Sequence, residues 1–283
     1  MNKDKLKLNI VDETAALQDL CVCRGTSVPD YEGYVNPHPE FTKYPTKPWN
    51  KSLLLEQQDG FFSLLDKCGV RLHFPETDPA LPWQMYTRDT GFVVGNKLFF
   101  CAQRGLPERE GEIAALRLGL TGLADTDFVA INSGRIEGGD VIVDKGMAYV
   151  GVSGRTTMDA VTELRQHVEV LPLYLGENVM HLDTRMTILP REHLLIHSPT
   201  FTQDDLTLLR RHFKLIEVTD QEAKTLGTNV FVINPETIVT DPGHARIADA
   251  LRDAGFRVEP VAYSEPIALA GSFRCSTMPL TRA

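Results

Sequence analysis

The strongest constraint on this chain is an internal repeat. A helical stretch, a short strand and a two-stranded hairpin follow one another, in that order, from about residue 51 to the C-terminus. Helices are expected at 52–68, 108–118, 157–167, 203–213 and 244–254, where apolar residues recur at helical spacing. Strands are expected behind them at 70–74, 128–131, 168–173, 214–218 and 256–261. Hairpins follow, with turns at Gly95-Asn96, Lys145-Gly146, Pro190-Arg191 and Asn234-Pro235, and a fifth expected to start at Gly271. Each hairpin opens on a polar residue: Asp89, Asp140, Asp183, Asn229 and Cys275, separated by 51, 43, 46 and 46 residues. A supersecondary unit returning at this period is the mark of a repeat architecture. Each helix needs a sheet face to cover its apolar stripe, and its hairpin supplies one. Five units around an axis would bring the polar entries together at the centre.

Length and composition fit a single α/β domain spanning 1–283, with residues 24–50 as a loop or lid, since 28–50 is dense in Pro, Tyr and Asn. The formal net charge of −9 argues against a nucleic-acid partner, which needs a basic face. No run approaches the ~20 apolar residues of a membrane span, and the charged N-terminus has no signal-peptide core. The five cysteines, 21, 23, 68, 101 and 275, are odd in number and scattered, which suits a reducing cytoplasm. The Cys21-x-Cys23 pair has no second pair at zinc spacing. Glu192, His193 and His197 are not in HExxH order and fall in a strand pattern, so no metal is expected. No cofactor is expected either, and a homodimer is the assembly to test.

The converging entries carry Asp89, Glu137, Asp140, His181, Asp183 and Cys275. A thiol, an imidazole and a carboxylate are the parts of an activated nucleophile. Strand alternation would send His181 and Asp183 to the same side, with Leu182 facing away. Ionised carboxylates match the planar fork of a guanidinium. A thiol among acids therefore suits a small cationic substrate with a planar electrophilic carbon, a guanidine or amidine. Arg109 and Arg155, near helix starts, are candidates for a substrate carboxylate. Taken singly, each residue has a plainer reading: Cys275 as a small buried hydrophobe, Gly138-Gly139 as a bulge, the arginines as surface charges. Their placement at equivalent points of successive repeats is what packing does not require.

In this order, YTRDTGFVV, RIEGGDVIV, GVSGRTT, HLDTRMTIL and GSFRCSTMPL resemble the guanidino-group-modifying enzymes of the pentein superfamily over roughly residues 82–280. That group includes arginine deiminase, dimethylarginine dimethylaminohydrolase and the amidinotransferases. The resemblance implies a five-bladed α/β propeller of ββαβ-type repeats. It implies Cys275 as nucleophile, His181 as general acid and base with Glu137 as its partner, Asp89 and Asp183 on the guanidinium with Asp140 beside them, and Arg109 and Arg155 on the α-carboxylate. The activity it implies is hydrolysis of a C–N bond at the guanidino carbon of arginine or a methylated arginine. An amidinotransferase using the same covalent intermediate is the nearest alternative, and a non-catalytic binding protein on the same ring is the one from another class. The chain lacks the glycine run that often precedes the cysteine, and has no room for the helical insertion of arginine deiminases.

Overall fold

The computed structural model describes residues 6–32, 48–102, 105–176 and 179–283. Most of the expected lid lies outside these residues. Fifteen strands form five three-stranded sheets. Within a sheet the first two strands are antiparallel and the third runs parallel to the second, reached through a helix. The second sheet is β3 (Phe92–Val94), β4 (Lys97–Cys101) and β5 (Phe128–Ile131), crossed by helix Glu112–Gly119. The third is β6 (Val141–Asp144), β7 (Met147–Val152) and β8 (Glu169–Tyr174), with helix Met158–Leu164. The fourth is β9 (Met186–Leu189), β10 (His193–Ile196) and β11 (Lys214–Glu217), with helix Gln203–His212. The fifth is β12 (Phe231–Asn234), β13 (Thr237–Thr240) and β14 (Arg257–Pro260), with helix Ala245–Asp253.

The remaining sheet corrects the expected fifth hairpin. Residues 271–283 hold one strand, β15 (Met278–Arg282), whose antiparallel partner is β1 (Leu17–Cys21) from the other end of the chain. Helix Lys51–Lys67 and β2 (Arg71–His73) complete this sheet. With β2 alone beside it β1 would be paired on one side only; β15 supplies the partner on its other side, so the two chain ends satisfy each other's backbones.

Buried clusters lie between neighbouring sheets and trace a closed ring. Met278 and Leu280 pack with Phe92, Phe99, Val141 and Val150 across the first three sheets. Ile142 and Tyr149 meet Ile188 and Leu194; Leu189 and Leu195 meet Val232 and Ile238; Phe231 and Val239 meet Leu17, Leu20 and Phe61. The architecture is therefore a five-bladed α/β propeller. Phe61 is fully buried and lies edge-on to Phe231, Tyr263 and Phe273, with centroids 5.8, 5.5 and 5.1 Å away. It thus ties the first blade's helix to the segment that carries Cys275.

Local chemistry sets the element ends. Asn50 accepts from Leu53 N and starts helix Lys51–Lys67, and Gly69, at φ +79°, lies just past its end. At the Lys145-Gly146 turn both residues have positive φ, as a tight hairpin twisted with its strands demands.

Candidate active site

Five short polar turns, one before the first strand of each blade, meet on the axis. They are Thr87–Thr90, Gly138–Asp140, Leu182–Thr184, Leu226–Asn229 and Phe273–Ser276, and their residues are almost all buried. The alternation argument for His181 and Asp183 fails here, because Leu182–Thr184 is a 3₁₀ turn and not a strand. Bonds between turns hold the assembly: Arg88 N donates to Cys275 O, Leu182 N to Asp140 Oδ1, and Thr228 Oγ1 to Thr184 O. Asn229 Nδ2 donates to Asp183 O at 2.9 Å, and Arg274 N donates to Asn229 Oδ1 at 2.8 Å. The remaining join is steric. A Cβ on Gly138 would stand 2.2 Å from Arg88 O, so only glycine lets the turns Thr87–Thr90 and Gly138–Asp140 approach.

Cys275 sits in this ring with 4% of its surface exposed. Its Sγ accepts from Asn229 Nδ2 at 3.4 Å and lies 3.9 and 4.0 Å from the two oxygens of Asp183. Burial pushes its thiol well above the usual range, and the charges of Asp183 and Asp89 add to the effect. The resting thiol is protonated. Asp89 Oδ1 is a buried oxygen with no hydrogen-bond partner, 3.7 Å from His181 Nδ1. A buried carboxylate oxygen left without a donor is costly, and a substrate N–H is the group that would satisfy it.

His181 is fully buried, and its Nε2 lies 2.7 Å from Glu137 Oε2. Burial alone would lower its pKa. The charge of Asp89 and the hydrogen bond to Glu137 overcome that and raise it to about 9, so the imidazole is a cation at neutral pH. Asp183 is pushed up to about 6 by burial, with Arg274 and His181 pulling the other way. Asp89, Glu137 and His181 present ligand atoms within 4.8 Å of one another, a set able to hold a metal ion. The proton on His181 competes with any such ion.

Two of the sequence-assigned residues, Arg109 and Asp140, are engaged differently from the expectation. Arg109 does not point free toward a substrate carboxylate. It is buried, with Nη1 2.6 Å from Asp89 Oδ2 and Nε 2.9 Å from Glu112 Oε1, and Nη2 donates to the carbonyls of Trp83 and Tyr86. All three nitrogens of its guanidinium are engaged, and it fixes one oxygen of Asp89 while leaving the other open. Asp140 stands behind the site: Oδ1 accepts from Leu182 N, the residue after His181, and Oδ2 from Ser153 Oγ. Burial raises its pKa to about 7. Arg155 does lie at the site, with Nη1 3.3 Å from Glu137 Oε2. Asn229 was legible only as a polar entry, yet its Nδ2 lies 3.4 Å from Cys275 Sγ. Glu13, which pairs with Arg88 and Arg274, gave no sequence signal beyond being charged, whereas the two arginines were legible only as neighbours of the polar entries Asp89 and Cys275.

Arginine deiminase is the family whose model matches this chain, over residues 76–210. YkgA of Bacillus subtilis, described as uncharacterised, is 37% identical over 213 residues, covering 72% of this chain and 71% of that protein. The N(G),N(G)-dimethylarginine dimethylaminohydrolase of Pseudomonas aeruginosa is 22% identical over 229 residues, covering 79% of this chain and 87% of that one. Among solved structures, the product-bound N-terminal domain of ArgZ, a cyanobacterial arginine dihydrolase, superposes with a TM-score of 0.81 at 20% identity, covering 93% of this chain and 97% of that domain. Among the described residues no helix is long and apolar enough to cross a membrane.

Proposed function

The chain belongs to the pentein superfamily of guanidino-group-modifying enzymes, and from that premise we propose that it hydrolyses a C–N bond at the guanidino carbon of arginine or an N-substituted arginine. The observation that carries this reading is the pair of buried carboxylates, Asp89 and Asp183, beside a buried thiol: Asp183 lies 3.9 Å from Sγ, and Asp89 offers an oxygen without a partner. A guanidinium bound there would satisfy both acids through charge-assisted hydrogen bonds.

The same pairing activates the nucleophile. Burial, with the charge of the two acids, holds the thiol in its protonated form; a bound cation offsets that charge and lets the thiol proton pass to solvent water. Thiolate Sγ then attacks the guanidino carbon. His181, protonated through its contacts with Asp89 and Glu137, gives a proton to the departing nitrogen as the C–N bond breaks. The products of this half are ammonia or an amine and an amidino-thioether on Cys275. His181, now neutral, takes a proton from water. The hydroxide adds to the carbon, and the C–S bond breaks as the hydroxyl proton is lost and the sulfur is protonated again, releasing a ureido product and the Cys275 thiol. Asp140 positions the turn that carries His181, Arg109 positions Asp89, and Arg155 is the remaining candidate for the α-carboxylate.

The test is a product screen against arginine, methylated arginines, agmatine and citrulline, with detection of ammonia, methylamines and ureido groups. It is run with and without glycine or lysine as acceptor. A ureido product formed without acceptor supports hydrolysis. Guanidino products that need acceptor would replace it with amidino transfer. No turnover, together with a Cys275 inert to alkylation, would remove the enzyme reading.

A further inference from the structure

Next to the polar turns lies a cluster of buried charge that the proposed reaction does not use. Glu13 is 3% exposed and faces three arginines, Arg88, Arg274 and Arg282, each 2–3% exposed. Arg88 Nη1 and Nη2 lie 3.4 Å from its two oxygens, and Arg274 Nη2 lies 2.8 Å from Oε2. Arg282 is satisfied mainly by the carbonyls of Ala15 and Val232. Together the arginines outweigh the burial of Glu13 and hold its carboxyl down at about 2, so it is charged at any working pH.

Two of these arginines are chain neighbours of site residues. Arg88 precedes Asp89, and Arg274 precedes Cys275. Each reaches the same carboxylate with its guanidinium, so one side chain fixes the backbone on either side of the reaction centre. Glu13 itself is held by a strap from outside the repeats. Its N donates to Val143 O, Oε1 accepts from Val143 N, and Ile10 and Val11 bond the hairpin turns at Gly95 and Gly146.

The second contact of Arg274 gives Glu13 a more specific part. Arg274 Nε lies 3.9 Å from Asp183 Oδ2. Arg274 is thus a guanidinium of the chain itself, poised beside the carboxylate that would take the guanidinium of a substrate. With Glu13 neutral, Asp183 becomes the nearest acid to Arg274, and an uncompensated buried cation moves to the nearest acid.

Resting on the hydrolase reading above, we infer that Glu13 is a positioning residue of the active site: it anchors the arginines before Asp89 and Cys275 and keeps Arg274 from closing on Asp183. The test compares Glu13→Gln, Glu13→Asp and the double variant Glu13→Gln with Arg274→Gln in the full chain. Glu13→Gln should raise KM for the guanidino substrate at least tenfold. It should also shift the pH midpoint of Cys275 alkylation by iodoacetamide downward, since an Asp183 paired to Arg274 no longer burdens the thiolate. Glu13→Asp should recover part of both. The double variant, which buries no added charge, should return KM to within threefold of wild type even where kcat stays low, and it serves if Glu13→Gln alone does not fold. A folded Glu13→Gln with wild-type KM and alkylation midpoint overturns the inference, as does a double variant whose KM stays tenfold high. The alkylation readout needs no turnover. A wild type without activity therefore sinks the hydrolase reading, and an unmoved midpoint sinks this one.

Discussion

Asp183 acts in opposite directions on the two partners of the reaction, and replacing it separates them. Its carboxylate is fully buried with oxygens 3.9 and 4.0 Å from Sγ. A unit charge at that separation is worth about 4 kcal/mol at the effective dielectric of about 20 that suits protein sites. In the free enzyme this energy opposes the thiolate; with substrate bound it favours the guanidinium. Asp183→Asn keeps the shape and removes the charge. Above about pH 6, where Asp183 is ionised in the native protein, Cys275 of the variant should be alkylated by iodoacetamide faster than in wild type, followed by mass spectrometry of its peptide. Turnover should move the other way. Losing about 4 kcal/mol of attraction is roughly a thousandfold in kcat/KM, since 1.4 kcal/mol is tenfold. A folded variant with slower alkylation and near-normal kcat/KM would refute the electrostatic account. Parallel loss of both with a lowered Tm would show that the substitution had disturbed the fold instead.

The pH profile of kcat/KM, which reports the free enzyme, should rise as pH passes about 6, where Asp183 ionises, and fall past about 9, where His181 loses the proton it donates; a flat profile across both would contradict the assigned roles. Asp140, Asp183 and His181 all bind protons more tightly folded than unfolded. Their contribution to stability is therefore fullest below the unfolded values of about 3.9 and 6.5 and is lost as pH rises through about 6, 7 and 9, so Tm should decline over that span. Arg109→Gln should cost about 3–5 kcal/mol of stability by breaking a buried pair and should weaken arginine and agmatine turnover alike. Arg155→Gln should weaken arginine turnover selectively, and equal losses on both substrates would remove Arg155 from carboxylate recognition. In Gly139→Ala the added Cβ would stand 2.5 Å from His181 Nδ1, so kcat should fall at least tenfold. Gly138→Ala meets the backbone oxygens of Arg88 and Gly91 at 2.2 and 2.7 Å, and calorimetry should register it chiefly as lost stability.

What the sequence discloses here depends on whether an interaction is local or arises from closing the ring. The repeat, its turns and the polar residue opening each unit are local, and each leaves a mark in spacing or turn chemistry. Asp89, Asp140, Asp183, Asn229 and Cys275 were legible as a set for that reason: they open successive units, with Glu137 and His181 three and two residues ahead of two of them, and the ring brings such points together whatever the details of each turn. The route to that result was wrong in one place. His181 and Asp183 both reach the axis through a 3₁₀ turn, a structure too short to leave a periodic signature. The closing strand was not legible, because β1 and β15 are joined by ring geometry across nearly the whole chain. The engagement of Arg109 by Asp89 was not legible because a cation in a sequence does not announce its counter-charge. Glu112, three residues on and bonded to it in the fold, was the available signal that its guanidinium was already engaged. Glu13 offered none: it lies before the first repeat, in a segment without periodicity, and its partners follow it by 75 and 261 positions. The repeat therefore presents the residues that face the substrate, whereas the residues that hold those side chains in place come from wherever the chain happens to cross behind them. Variants at Glu13 and Arg109 are accordingly where conservation of the repeat alone would misjudge the effect on activity.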